Sequence, residues 1–182
     1  MKKYFLVSLC ATLLTFNSFS QEETNSSSLQ TNFNEVKLNA LFLIAGAFEI
    51  TYERTLNEES GAGISVFLPY DNDISEDINY YISPYYRFYF GNKYAAGFFL
   101  EGFGMLNSVN EYLFISNGFD PILEKESVTD FALGIGLGGK WITNSGFIGE
   151  ISFGFGRNLF GDYNDEALEF VGKAGITLGY RF

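Results

Sequence analysis

Glu49 and Glu53 have the spacing that comes closest to an acid–base pair in this chain. They are four residues apart in an alternating segment, so an extended strand would place both on one face. Two neighbouring carboxyls can divide acid and base roles between them. Cations of the same parity in neighbouring segments favour a cluster of structural ion pairs instead, and we interpret the two glutamates in that way.

The residue types needed for most catalytic sites are missing from the sequence. It has 182 residues, no histidine and a single cysteine, Cys10. Without histidine the chain lacks the usual general base at neutral pH, which excludes Ser–His–Asp sites. Because Cys10 lies in a predicted leader, the mature chain would have no thiol for a disulfide, a metal site or a nucleophile. We therefore predict that the protein is not an enzyme.

Two further patterns resemble ligand sites only superficially. The acidic segment at residues 71–77 lacks the glycine and the terminal glutamate of a calcium-binding EF-hand loop. The glycine-rich segment 134–139 lies within a predicted strand with no helix after it, unlike a phosphate-binding loop. We expect no metal site and no cofactor. Weak bridging of anionic lipid by divalent ions at the acidic loops is the alternative.

The last fifteen residues alternate almost without exception. Every second residue from Phe170 to Phe182 is apolar, aromatic or glycine, and the residues between them are small, polar or charged. A period of two residues predicts a strand with different environments on its two faces. Strands of about ten residues with aromatic residues near their ends are typical of membrane β-barrels.

The beginning of the chain predicts export from the cytoplasm. Lys2 and Lys3 precede an uncharged apolar stretch that ends in small residues at Ser18 and Ser20. This pattern predicts a signal peptide at residues 1–20, cleaved before Gln21. Residues 21–35 are polar and predict a flexible periplasmic lead-in, and residues 36–182 form the single remaining domain.

Eight strands are predicted, at residues 36–44, 48–56, 62–70, 79–90, 94–107, 129–142, 146–157 and 169–182. Tight turns at 57–61, 91–93 and 143–145 alternate with longer acidic connections at 71–78, 108–128 and 158–168. Outer-membrane barrels have short periplasmic turns and longer outer loops. The connection 45–47 departs from this alternation because it is short. The predicted fold is all-β, an eight-stranded antiparallel up-and-down transmembrane β-barrel.

Most charged residues of the predicted strands share one parity, opposite to that of most aliphatic residues. Facing lipid would cost roughly 2–4 kcal/mol for each Lys or Arg at mid-depth. Several such costs exceed the stability of an ordinary domain, so these charges should line the lumen and pair with one another. The predicted lumen charges are Lys37, Glu49, Glu53, Arg87, Glu101, Lys140, Glu150, Lys173 and Arg181. Arg54 and Arg157 have the outward parity but lie at strand ends, where they could reach lipid headgroups.

The predicted lumen also contains large side chains opposite small ones. Tyr81, Tyr85 and Tyr89 share the inward parity of Arg87, whereas the last three strands supply many glycines. Since an eight-stranded barrel is just wide enough for side chains to fill, we predict a plugged barrel.

Several segments resemble those of a known class of proteins. The signal peptide, YYRFYFG at residues 85–91, ALGIGLGGKW at 132–141 and the terminal GYRF resemble the small eight-stranded outer-membrane barrels of the OmpA, OmpX and opacity type, including uncharacterised Gram-negative families. The resemblance covers essentially the whole mature chain and implies location in the cell outer membrane. It implies that the barrel-assembly machinery reads Phe182 and, more weakly, Tyr180. Barrel phospholipases, lipid A deacylases and omptin-type proteases share the fold but depend on histidine.

Three functions remain open at this point. The first is a monomeric barrel with a structural or surface-interaction role, in contact with outer-membrane lipid and lipopolysaccharide, whose long loop 108–128 would meet partners. The second is a narrow channel for small solutes or ions. The third is a soluble lipocalin-like carrier, although that fold needs the inverse polarity. A net charge of −11, or about −13 without Lys2 and Lys3, argues against a nucleic-acid partner.

Overall fold

The alternating segments form eight strands that close into one antiparallel barrel, as predicted. The structure is a computed structural model and describes residues 33–116, 121–161 and 166–182. The predicted signal peptide and all but the last three residues of the predicted lead-in lie outside these ranges. The strands are β1 (Asn34–Asn39), β2 (Ala47–Asn57), β3 (Ser60–Pro69), β4 (Ile78–Tyr89), β5 (Gly97–Ser116), β6 (Pro121–Ile142), β7 (Phe147–Asn158) and β8 (Phe170–Arg181).

The described residues also contain three short helices. They are α1 (Ala40–Ala45), α2 (Asn72–Ser75) and a 3-10 helix (Glu166–Glu169). Among the described residues, none of the helices has the length and apolar character needed to cross a membrane.

The barrel closes where its first and last strands meet. β1 pairs with β8 in antiparallel register, from Glu35 opposite Arg181 to Asn39 opposite Thr177. Next to the Glu35–Arg181 pair, Phe182 donates its amide to the Asn34 carbonyl oxygen at 2.8 Å. Both ends of the barrel domain therefore lie at one end of the barrel, which we call the terminal end. The tight turns after β2, β4 and β6 lie there too, and the opposite end is the loop end.

The first predicted strand, at residues 36–44, extends five residues past the observed end of β1 at Asn39. Asn39 ends β1 and caps α1, because its side-chain oxygen accepts a hydrogen bond from the Leu41 amide at 3.1 Å. Gly46, at φ 116°, ends the helix in the left-handed region, and its amide donates to the Phe42 carbonyl oxygen. The predicted strand at 40–44 and the short loop 45–47 are thus wrong. Phe42 packs into the loop end, not on the outward face.

The predicted long loop 108–128 is also wrong over most of its length. β5 and β6 stay paired in one register from Gly97 opposite Lys140 to Ser116 opposite Pro121. Pairing of β5 with β4 ends at Val109, and pairing of β6 with β7 ends at Ala132. Residues 110–116 and 121–131 therefore form a two-stranded hairpin that extends past the neighbouring strands. We call it the long hairpin.

The two faces of the wall differ as the alternation predicts. In β4, Tyr81, Ser83, Tyr85 and Arg87 are buried inside, and the residues between them point outward and are exposed. β2, β6, β7 and β8 follow the same rule. The outside of the barrel is therefore apolar and its inside is largely polar.

Candidate functional site

The structure places all nine predicted lumen charges inside the barrel. Eight of them are buried, and Lys173 is 12 % exposed. A tenth residue joins them. We call the ten the lumen cluster, which consists of Glu35, Lys37, Glu49, Glu53, Arg87, Glu101, Lys140, Glu150, Lys173 and Arg181.

Glu35 is not among the predicted lumen charges because it falls in the predicted lead-in, one residue before the first predicted strand. It is completely buried and lies within ion-pair distance of Lys37 (3.4 Å), Lys140 (3.0 Å) and Arg181 (2.6 Å). The signal was present, since Glu35 has the same parity as Lys37 and precedes it by two residues. With Glu35 the lumen cluster contains five cations and five anions.

The lumen-cluster residues nearest the terminal end form a first layer, which is hydrogen-bonded to a turn between two strands. Arg181 bonds Glu35 and donates two further hydrogen bonds, to the carbonyl oxygens of Tyr94 and Ala95, both at 2.9 Å. The Ala95 amide in turn donates to the Glu58 carbonyl oxygen at 2.7 Å. The turn between β4 and β5 is thereby held against the lumen at this end.

Glu53 is at the centre of the next layer. Its carboxylate accepts hydrogen bonds from Lys37 (2.7 Å), Lys140 (2.8 Å) and Arg87 (3.1 Å). Tyr85 (2.7 Å) and Tyr89 donate to it as well. These donors come from three different strands besides its own, so one buried carboxylate joins four of the eight strands.

Glu150 and Glu101 extend the network across the barrel. Glu150 bonds Lys37 at 3.1 Å and Arg87 at 2.9 Å. Glu101 bonds Arg87 at 2.6 Å and Lys173 at 2.8 Å. Each cation except Arg181 thus contacts carboxylates of at least one other strand across the lumen, which satisfies charges that would be costly alone.

Glu49 is set apart from this network. Its carboxylate accepts a hydrogen bond from Asn39 at 2.5 Å, and within the described part of the chain it forms no ion pair. Glu49 and Glu53 therefore have different surroundings. The Glu53 carboxylate already accepts hydrogen bonds from five donors and is not free to exchange a proton with a ligand. The two do not form an open acid–base pair.

Aromatic rings lie against three cations of the lumen cluster, Arg87, Lys140 and Lys173. The Arg87 guanidinium carbon lies 4.4 Å from the centre of the Tyr85 ring and 4.2 Å from that of Phe99. Lys140 lies 4.1 Å from the Tyr89 ring and Lys173 4.7 Å from that of Phe103. Cation–π contacts of this kind gain strength where water is excluded.

Glycines on neighbouring strands make room for these rings. A Cβ added at Gly63 would lie 2.5 Å from the Tyr85 hydroxyl, and one at Gly138 would lie 2.5 Å from the Phe99 ring. Large side chains thus meet small ones on the adjacent strand, whereas the prediction placed the glycines of the last three strands opposite the β4 tyrosines. An internal cavity lined by Glu49, Thr51 and Lys173 has a volume of about 20 Å³, enough for about one water molecule.

An apolar cluster lies beyond the charges at the loop end. The rings of Phe67 and Tyr81 stack at 4.7 Å, and Phe42 of α1 meets Phe67 edge-on at 5.1 Å. Met105 and Ala132 are buried in the same cluster. The lumen is polar at mid-height and apolar near this mouth.

The comparisons with known proteins identify the fold. No protein-family model and no curated protein matches the sequence. The N-terminal β-barrel domain of Pseudomonas aeruginosa OprF is similar at a TM-score of 0.55 and 15 % identity, over 83 % of this chain and 98 % of that one. The Yersinia pestis outer membrane protein Ail, solved in a phospholipid bilayer nanodisc, gives a TM-score of 0.40 and 19 % identity over 83 % and 99 %.

The similarity to the OprF domain agrees, at the level of fold, with the resemblance inferred from the sequence. The chain is an eight-stranded antiparallel up-and-down barrel of the kind seen in the OprF domain. Within the described residues, no group of three or more His, Cys, Asp or Glu side chains is arranged to hold a metal ion.

Proposed function

We propose that this protein is an integral outer-membrane barrel with a plugged lumen and a structural or surface-interaction role. The observation that carries the proposal is the inverted polarity of the barrel. Its ten lumen-cluster charges lie inside, whereas large apolar side chains cover the outside, among them Ile135 (76 % exposed) and Phe153 (62 % exposed). Soluble monomers rarely expose so continuous an apolar surface.

The outer face also has aromatic residues near both of its edges. Trp141, Tyr180 and Phe182 are exposed toward the terminal end. Phe155 and Phe170 stack with ring centres 5.3 Å apart toward the loop end. Two aromatic girdles around an aliphatic band are typical of transmembrane barrels.

The side-chain network supports a plugged lumen over a channel. The layers centred on Arg181, Glu53 and Glu101 succeed one another along the barrel axis, and the apolar cluster follows at the loop end. An ion would have to displace several buried ion pairs in turn to pass. We assign no catalytic step to the lumen, because Glu53 is already held by five donors.

Conductance tests the plug. We expect purified protein in planar bilayers to give no sustained current at low voltage. A combined Arg87→Ala and Tyr89→Ala variant should conduct, since it removes two of the largest lumen side chains, whereas Arg157→Ala should not. Arg157 is the matched control, because it lies on the outer surface in an exposed pair with Glu169. Reproducible channels in the unmodified protein would favour the narrow-channel alternative.

Location is tested separately by cell fractionation. We expect the protein in the outer-membrane fraction, with a mobility on denaturing gels that changes on heating. A soluble periplasmic product would favour the lipocalin-like carrier instead.

The long hairpin is the proposed contact surface. It projects past the barrel wall, and the outward edges of residues 110–116 and 121–131 have no strand partner within the described residues. Lys125 lies 6.0 Å from the ring of Tyr112, its partner across the hairpin. Protease added to whole cells should cut within the hairpin and leave the barrel intact. Complete protection would contradict an exposed hairpin.

A further inference from the structure

The wall of the barrel is interrupted near the loop end beside β8. β8 pairs with β7 as far as Phe170, but with β1 only as far as Thr177. Residues 170–176 of β8 therefore have a strand partner on one side only. α1 lies beside them where a longer β1 would have continued the sheet. This lateral gap follows directly from the early end of β1 at Asn39.

A cavity of about 440 Å³ lies at this gap. Tyr81 and Met105 line it from inside the barrel, and Phe42 lines it from α1. Phe170 and Gly172, which belong to the outward face of β8, line it as well. The cavity, which we call the mouth pocket, thus reaches from the interior of the loop end to the outer face of the wall. Its size falls in the range of small-molecule sites, roughly 300–1,000 Å³.

Two polar atoms of the lining residues, Tyr81 Oη and Asn107 Oδ1, have no hydrogen-bond partner within the described residues. Asn107 is 2 % exposed and lines the mouth pocket, and its Oδ1 atom is buried without a hydrogen bond. The orientation of the amide follows from its neighbours. Asn158 donates Nδ2 to the Leu168 carbonyl oxygen at 2.8 Å, so it offers Oδ1 to Asn107. Asn107 therefore donates its own Nδ2 to Asn158, also at 2.8 Å, and its Oδ1 remains an acceptor.

The charges around the mouth pocket disfavour an anion. Asp77 is part of its lining, and Asp130 is the buried cross-strand neighbour of Asn107. The described lining residues include no lysine or arginine. A ligand that suits these surroundings has an apolar body and one uncharged hydrogen-bond donor.

We propose that the mouth pocket binds a small single-chain amphiphile of the primary-alcohol type. The hydroxyl donates to Asn107 Oδ1, and the apolar chain lies between Phe42, Met105 and β8 and extends toward the lateral gap. This activity goes beyond a structural role. Entry of the ligand from the bilayer through the gap rests on the proposed membrane location, whereas binding in the pocket does not.

Met105 provides a reporter for the test. The sequence contains two methionines, Met1 and Met105, so methyl-labelled methionine places one probe in the barrel domain and in the pocket lining. The ligands are 1-octanol and its isomer heptyl methyl ether, which has the same number of heavy atoms but no O–H. We expect 1-octanol to shift the Met105 methyl resonance saturably and the ether to bind about fivefold more weakly. Absence of a saturable shift with 1-octanol, or equal affinity for the two isomers, would overturn the proposal.

Two glycine variants test the part played by β8. A Cβ added at Gly172 or at Gly102 meets nothing within 4 Å, and both glycines lie on the outward face. Gly172→Trp should occupy the gap and abolish the 1-octanol shift, whereas Gly102→Trp on β5 should leave the shift unchanged. If Gly172→Trp binds 1-octanol with unchanged affinity, the ligand does not extend into the lateral gap. Heat-modifiable mobility shows independently that each barrel is folded, so a negative titration counts against the mouth pocket and not against the barrel.

Discussion

Glu35 and Arg181 lie directly opposite each other where the first strand meets the last, and their side chains form an ion pair with a Nη2–Oε1 distance of 2.6 Å. The two residues are separated by 146 positions in the chain. Glu35 also bonds Lys140 of β6 across the lumen. The strand closure of the barrel and its buried network therefore share one carboxylate.

Glu35→Gln should destabilise the barrel more than any exposed charge change. The substitution leaves the buried Arg181 without a carboxylate and Lys140 with Glu53 alone, and breaking a buried pair costs about 3–5 kcal/mol. The matched control is Glu169→Gln, which breaks an exposed pair with Arg157 and should cost at most about 1 kcal/mol. Urea unfolding in phospholipid vesicles gives both values. Equal unfolding midpoints would mean that Glu35 does not support the closure.

Gly63→Ala should be destabilising although it adds only one methyl group. The new Cβ would lie 2.6 Å from the Tyr52 carbonyl oxygen, a contact that no side-chain rotation relieves. Overpacking of this kind costs about 1–3 kcal/mol. At Gly102 the same substitution meets nothing within 4 Å and should leave the free energy of unfolding nearly unchanged. A stability loss at Gly102 as large as that at Gly63 would contradict the packed lumen.

Phe153→Arg should lower the free energy of unfolding of the barrel in vesicles by about 2–4 kcal/mol. Phe153 is 62 % exposed on the outward face of β7, within the aliphatic band. Phe160 is the control, since it is 79 % exposed but lies beyond the end of β7, where arginine should cost about 0–1 kcal/mol. If both variants fold as well as the parent, the apolar band does not face hydrocarbon.

Phe182→Ser should reduce assembly in cells without reducing unassisted refolding. The Phe182 ring is half exposed, and the two bonds between Phe182 and Asn34 are made by backbone atoms that serine keeps. The measurement compares the amount of heat-modifiable barrel in the outer membrane with the yield of refolding into vesicles. Phe160→Ser is the control, as an exposed aromatic residue at the loop end. If Phe182→Ser assembles normally in cells, Phe182 is not an assembly signal.

Local pattern was sufficient for most strands because the alternation of polar and apolar residues runs through them. It failed at Ala40–Ala45, where an apolar run fits a strand or a helix equally well. The segment is a helix because Asn39 and Gly46 cap its two ends and Phe42 packs against Phe67. It failed again at the long hairpin, because acidic residues that suggest a loop are compatible with cross-strand pairing once the register is set.

The sequence by itself determined which side chains face the lumen, because a period of two residues assigns every position of a strand to one face. Only the tertiary structure decided which charges meet. A period of two says nothing about the stagger between strands, and that stagger brings Lys37, Lys140 and Arg87 together at Glu53. The lateral gap beside β8 has the same origin, since it depends on where β1 stops relative to a strand more than a hundred residues further along the chain.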